Sequence, residues 1–296
     1  MAPRPLRGAA FEAFIAPARL RPGFWRLVSG LAVALLVALV GAALIILLGL
    51  VALGPRWNRF ETLVALLSFA ALTLGVVLAA RLFDGRGAAT LIGPGGFRPR
   101  AFLAGALTAA GFATGVTLLV FVLLGEPMEQ RLGIGPWLGL LPFALLAVLI
   151  QTSAEEVAFR AYLAQGLAAR FRSPLIWLGV PAALFGAMHW SPAFGSNAPL
   201  VVLCAAMIGV ILGDVTARTG NLSLAMGLHF GNNLVALLLI APPAPLDGLA
   251  LYASSSGPEG IGSDRLTLPL ELALLSAGYG LWLRRNRRRN RRRSRA

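Results

Sequence analysis

The sequence predicts an all-α polytopic membrane protein of about eight transmembrane helices, with both termini cytoplasmic. Three observations predict it. Of 296 residues, 57% are hydrophobic and 13% charged, whereas a soluble domain carries about 25% charged residues. Apolar runs recur along the chain, each near the ~20 residues that cross ~30 Å of hydrocarbon. The arginines of the connecting segments are also biased to alternate sides. No polar stretch is long enough to bury a soluble core. A single transmembrane domain, 27–283, is therefore expected between an N-terminal cytoplasmic or interfacial segment, 1–26, and an Arg-rich cytoplasmic tail, 284–296.

The first 26 residues mix arginine with Phe11, Phe14, Ile15, Phe24 and Trp25, the composition of an interfacial amphipathic segment. The uncharged run Leu27 to Pro55 is too long for a signal-peptide core and is the first span. The following spans are Thr62–Ala80, Ala101–Leu124, Pro136–Gly166, Pro174–Trp190, Ala198–Thr216, Asn221–Ile240 and Leu266–Leu283. With the N-terminus inside, the inner connections hold Arg81, Arg86, Arg98, Arg100, Arg170, Arg172, Arg218 and the nine arginines of the tail. The outer ones hold Arg56, Arg59, Arg131 and Arg265 among six carboxylates. That is the positive-inside pattern for an even number of spans. The 242–264 segment, rich in Pro, Gly and Ser, reads as a long outer loop.

The net charge of +14 does not point to nucleic acid. All 26 basic residues are arginine, nine of them in the last 13 residues and five in the first 26. Topology anchoring and attraction of the tail to anionic lipids account for them. The single Cys204 excludes an intramolecular disulfide and a cysteine metal site. Gly111/Gly115, Gly209/Gly213 and Gly227/Gly231 have the spacing that lets helices approach closely.

Three polar sets interrupt the apolar spans. Glu155-Glu156-x-x-x-Arg160 places two carboxylates and a guanidinium at membrane depth, where charge is costly and is kept for pairing or function. Glu156 and Arg160 share a helix face and pair, while Glu155, about 100° around and above Gln151, is free to face a cavity. Phe185-x-x-x-His189 and His229-x-x-Asn232-Asn233 carry the only two histidines. At ~1.5 Å per residue all these groups fall in one layer, mid-membrane to inner leaflet. Inward packing would solve their solvation problem and create a wet site.

A carboxylate beside an imidazole can take a proton from water for attack on a carbonyl, while a second imidazole and a carboxamide donate to the oxyanion. Alternatively, Glu155, His189 and His229 supply three ligands for a catalytic Zn²⁺. The residues leave both mechanisms open. A His-Glu-x-x-His helix and a Gly-x-Ser-x-Gly elbow are both missing from the sequence. Asp214 and Arg218, one turn apart, read as an inner-end helix pair.

The three motifs, in this order on successive membrane helices, resemble those of the CPBP family. These are the CAAX-type and bacteriocin-processing intramembrane proteases, also called the Abi family. The motifs match in full, and the resemblance runs from about 136 to 240. It implies an α-helical membrane protease whose site opens towards the cytoplasm or inner leaflet. Glu155 and His189 would activate water, and His229 and Asn233 would stabilise the oxyanion. Glu156, Arg160 and Phe185 would support the site. The family is described both as metalloproteases and through a metal-independent glutamate mechanism. The implied substrate is a membrane-associated protein or peptide. The lysine-free composition suggests a GC-rich genome, and the expected location is a bacterial inner membrane. Two other readings fit the membrane architecture: a non-catalytic scaffold or immunity-type protein of the same fold, and a proton-coupled transporter. The absence of an internal repeat counts against the last.

Overall fold

Without water to solvate peptide groups, an apolar run satisfies its backbone by becoming helix. The computed structural model describes residues 8–54, 57–124, 128–241, 247–254 and 267–293, and the predicted runs are helical there. In chain order, α1 is Ala9–Arg19, α2 Phe24–Leu53, α3 Trp57–Ser68, α4 Ala70–Leu82, α5 Ala89–Ile92 and α6 Pro99–Leu124. Then α7, Ile134–Glu156, continues through a π-helical turn, Val157–Leu163, into α8, Ala164–Arg170. A second π-helical turn, Leu175–Gly179, leads into α9, Val180–Ala187. The remaining helices are α10 (Ala198–Thr219), α11 (Ser223–Leu234, extended by a π-helical turn Val235–Leu239) and α12 (Thr267–Arg293).

Five helical stretches among the described residues are long and apolar enough to cross a membrane: Phe24–Leu53, Phe60–Leu82, Pro99–Leu119, Ile134–Arg170 and Pro192–Thr219. Leu175–Ala187 and Ser223–Leu239 are shorter apolar helices. The chain is an all-α, multi-pass membrane protein. The fifth predicted span is shorter than expected: α9 ends at Ala187, and His189 and Trp190 lie in the turn beyond it.

The helices that carry polar groups are held by glycine contacts. A Cβ on Gly227 would stand 2.0 Å from the Phe102 carbonyl oxygen, and one on Gly231 2.1 Å from that of Ala106. Gly105 of α6 meets the Leu224 carbonyl in the same way, at 2.6 Å. The backbones of α6 and α11 therefore touch with no side chain between them. Gly209 and Gly213 pack α10 on Ala182 and Leu178, whereas Gly111 and Gly115 have no atom within 4 Å of a would-be Cβ.

In the N-terminal segment, Phe24 and Trp25 are exposed, whereas the large apolar residues of α1 are not. Phe11, Phe14 and Ile15 of α1 are buried in the protein core, and α1 packs on α8 and α10. Its polar face carries a 2.5 Å Arg19–Glu12 pair exposed to the surroundings. The apolar face finds protein rather than lipid.

Connections gather at two ends. At one end, Leu222 N–H donates to Ile92 O (3.0 Å), Arg98 N–H to the Ser223 hydroxyl (2.8 Å) and Asn221 to Gly96 O (2.9 Å). At the other lies a small sheet that the sequence did not announce: β1 (Met128–Gln130), β2 (Ile240–Ala241) and β3 (Tyr252–Ser254), in the order β1-β3-β2. Met128 pairs antiparallel with Ser254, and Ile240 parallel with Tyr252. The predicted outer loop thus holds a short 3-10 turn, Asp247–Leu249, and a paired strand; its residues 242–246 and 255–264 lie outside the described residues. Asp214 and Arg218 pair at 2.5 Å, and Tyr279 donates to the same Asp214 oxygen at 2.5 Å, which fastens α12 to α10.

Candidate active site

Helices α7 and α11 run antiparallel and meet through two rungs one turn apart. On one rung, Glu155 Oε2 lies 3.4 Å from His229 Nε2. On the other, Asn233 Nδ2 donates to Gln151 Oε1 at 3.0 Å. The four-residue spacing on each helix is the reason: Gln151 and Glu155 share a face, as do His229 and Asn233.

Beside the first rung, Glu156 has no exposed surface and Arg160 is 2% exposed. Their 3.0 Å ion pair, one turn apart, balances both buried charges. The same carboxylate oxygen, Oε1, also accepts from His229 Nδ1 at 2.8 Å. Glu156 thus serves the imidazole as well as the arginine, a second role beyond the pairing read from the sequence. Because a carboxylate only accepts, His229 carries its proton on Nδ1 and turns Nε2 towards Glu155. Four side chains form one line of contacts: Arg160, Glu156, His229, Glu155.

The π-helical turn begins directly after Glu156. Ala164 N–H reaches back to Phe159 O, five residues earlier, and Arg160 sits inside this wide turn. Single π-helical turns within helices recur at functional sites. The Arg160 guanidinium lies 4.5 Å from the Phe185 ring centroid. Phe185 in turn packs against His229 (5.7 Å between ring centroids, 81°) and His189 (4.7 Å).

His189 is placed differently from the helical expectation. Beyond the end of α9, its Nδ1 donates to the carbonyl oxygen of Phe185 at 2.7 Å. That fixes the tautomer and leaves Nε2 as the open nitrogen. The histidine closest to Glu155 is His229.

Glu155, His189 and His229 do not fit a preformed three-ligand zinc centre. Among the described residues no three His, Cys, Asp or Glu side chains are grouped to hold a metal ion. Phe185 packs on both imidazoles, and His229 Nε2 faces Glu155 directly. Both nitrogens of His229 face carboxylates, Nδ1 hydrogen-bonded to Glu156 and Nε2 at 3.4 Å from Glu155.

The sequence left two members of this site in the background. Asn232 donates to Asn233 Oδ1 at 3.2 Å, and Gln151 accepts from Asn233. Their signal was positional only, a carboxamide one turn from Glu155 and another adjacent to Asn233.

Comparison with known proteins was consistent with the motif reading. Residues 137–235 match the family model of type II CAAX prenyl endopeptidases, Rce1-like. The chain is 30% identical over 127 residues to the uncharacterised Bacillus subtilis protein YyaK, covering 42% of this chain and 42% of that relative. The chain thus spans less than half the length of this curated relative. No solved structure matches. Residues 137–235, which hold all three motifs, are thus similar to the Rce1-like family model.

Proposed function

We propose that the chain is an intramembrane endopeptidase that hydrolyses peptide bonds of membrane-associated protein or peptide substrates. The observation that carries this reading is the Arg160–Glu156–His229–Glu155 line of contacts, buried among membrane helices. Glu155 Oε2 and His229 Nε2 face each other at 3.4 Å, so a proton taken up by one is within reach of the other. Water beside Glu155 gives up a proton to this pair as its oxygen bonds to the substrate carbonyl carbon. The carbonyl oxygen becomes an oxyanion, which accepts from the free N–H of Asn233. The proton then passes to the leaving nitrogen, the C–N bond breaks, and a carboxylate and an amine separate.

Glu156 holds the His229 ring in orientation and tautomer through Nδ1, and Arg160 balances its charge. His189, with Nδ1 committed to Phe185, offers Nε2 to water or substrate. The loop charges support both termini on the cytoplasmic side of a bacterial inner membrane, and the tail arginines support contact with anionic lipids.

The test is a comparison of protein termini in membranes from wild-type and Glu155→Gln cells. New termini present only in the wild type are expected, and a purified full-length protein should produce them in proteoliposomes. Identical termini in both, with both proteins inserted at equal level, would sink the protease reading.

A further inference from the structure

We propose that Gln151 is a positioning residue that, with Asn232, locks the carboxamide of Asn233 so that an N–H, and never its carbonyl, meets the substrate oxyanion. The inference rests on the protease reading above. An asparagine side chain rotates broadly about its last torsion, in two nearly equivalent orientations. One presents a donor and the other an acceptor. An oxyanion is stabilised by the first and repelled by the second, so an unrestrained Asn233 would be a poor oxyanion ligand.

The surroundings remove that freedom. A carboxamide has two N–H donors and one carbonyl acceptor. The carbonyl Oδ1 of Asn233 is taken by Asn232 Nδ2 at 3.2 Å. One Nδ2–H is taken by Gln151 Oε1 at 3.0 Å. What remains is one N–H. A flip of Asn233 alone would set its oxygen against the Gln151 oxygen and its NH₂ against the Asn232 NH₂, losing both bonds. Gln151 is buried, 7% exposed, and sits on α7 one turn before Glu155. The rung that aims the oxyanion donor and the rung that brings Glu155 to His229 therefore use the same two helices. Donors fixed before the reaction cost no reorganisation in the transition state.

The test uses the full-length protein in proteoliposomes and an internally quenched peptide carrying a cleavage sequence found by the terminus comparison. Four proteins are compared: wild type, Gln151→Met, Asn233→Ala and the double variant. Methionine keeps the length of glutamine and removes the acceptor. Gln151→Met is expected to lower kcat about 10-fold or more with KM within about twofold, and Asn233→Ala about 100-fold. The double variant is expected to be no slower than Asn233→Ala, because Gln151 acts through Asn233. Asn232→Ala should follow the same non-additive pattern and serves if Gln151→Met does not fold.

Gln151→Met within twofold of wild type, or a double variant slower by the product of the two losses, would overturn the positioning role and leave the protease reading standing. Asn233→Ala with wild-type kcat would overturn both the oxyanion role and the inference built on it. Independently of turnover, the thermal midpoints of the four proteins should be non-additive, and additive shifts would overturn the contact itself.

Discussion

Glu156 and His229 are joined across two helices by a 2.8 Å contact from Nδ1 to Oε1, although 73 residues separate them in the chain. The carboxylate that neutralises Arg160 is therefore also the group that orients the imidazole. Removing its charge while keeping its shape should be felt in catalysis more than in folding. Glu156→Gln is expected to lower kcat about 100-fold or more, in line with losses seen when an orienting carboxylate is made neutral. Steady-state cleavage of the quenched peptide measures it, and kcat within threefold of wild type would remove Glu156 from the mechanism.

Arg160 has the opposite profile. Arg160→Met leaves Glu156 buried without its cation, a change that costs about 3–5 kcal/mol in comparable buried pairs. The expected result is a lowered thermal midpoint in detergent, partly restored when Glu156→Gln is added. A single variant as stable as wild type would mean that the pair adds nothing to folding.

The glycine contacts between α6 and α11 give a paired prediction. Gly227→Ala would press a methyl group into the Phe102 carbonyl, whereas Gly111→Ala would enter open space on the same α6 helix. Overpacking of this kind costs about 1–3 kcal/mol. Gly227→Ala should lower both the thermal midpoint and cleavage, because α11 carries His229 and Asn233. Gly111→Ala should change neither. Equal behaviour of the two variants would contradict the close approach of the backbones.

The grouping of donor atoms bears on metal dependence. With His229 engaged by Glu156 and Glu155, and His189 held by Phe185, cleavage is expected to survive exhaustive treatment with a strong chelator. Loss of activity that returns on adding Zn²⁺ would show that the site rearranges to take a metal.

Much of the architecture was legible because membrane helices are written in long apolar runs. The Glu156–Arg160 pair was legible for a similar reason, since a four-residue spacing places both on one face whatever the rest of the chain does. Long-range register was not. That Glu156 also reaches His229, and that Gln151 faces Asn233, depends on how α7 slides along α11, and no local pattern records it. His189 fell outside its expected helix because Met188, His189 and Trp190 include no Gly or Pro; the first such residue after Ala187 is Pro192. The strands β1, β2 and β3, two or three residues each, are too short for alternation to appear. Phe11, Phe14 and Ile15 stand out as apolar in the sequence, but composition alone does not say whether such residues meet lipid or protein.

The contact between α6 and α11 also changes what the bilayer is to this molecule. Helix α6 turns Leu103, Leu107, Leu118 and Leu119 outward, while its backbone presses on Gly227 and Gly231. A helix exposed to lipid adjusts its tilt to the thickness of the surrounding hydrocarbon. With bare backbone against bare backbone there is no compliant side chain to absorb that adjustment. The membrane is thus a gauge for the distance between the two rungs and their partners, and lipid length becomes a variable of the chemistry.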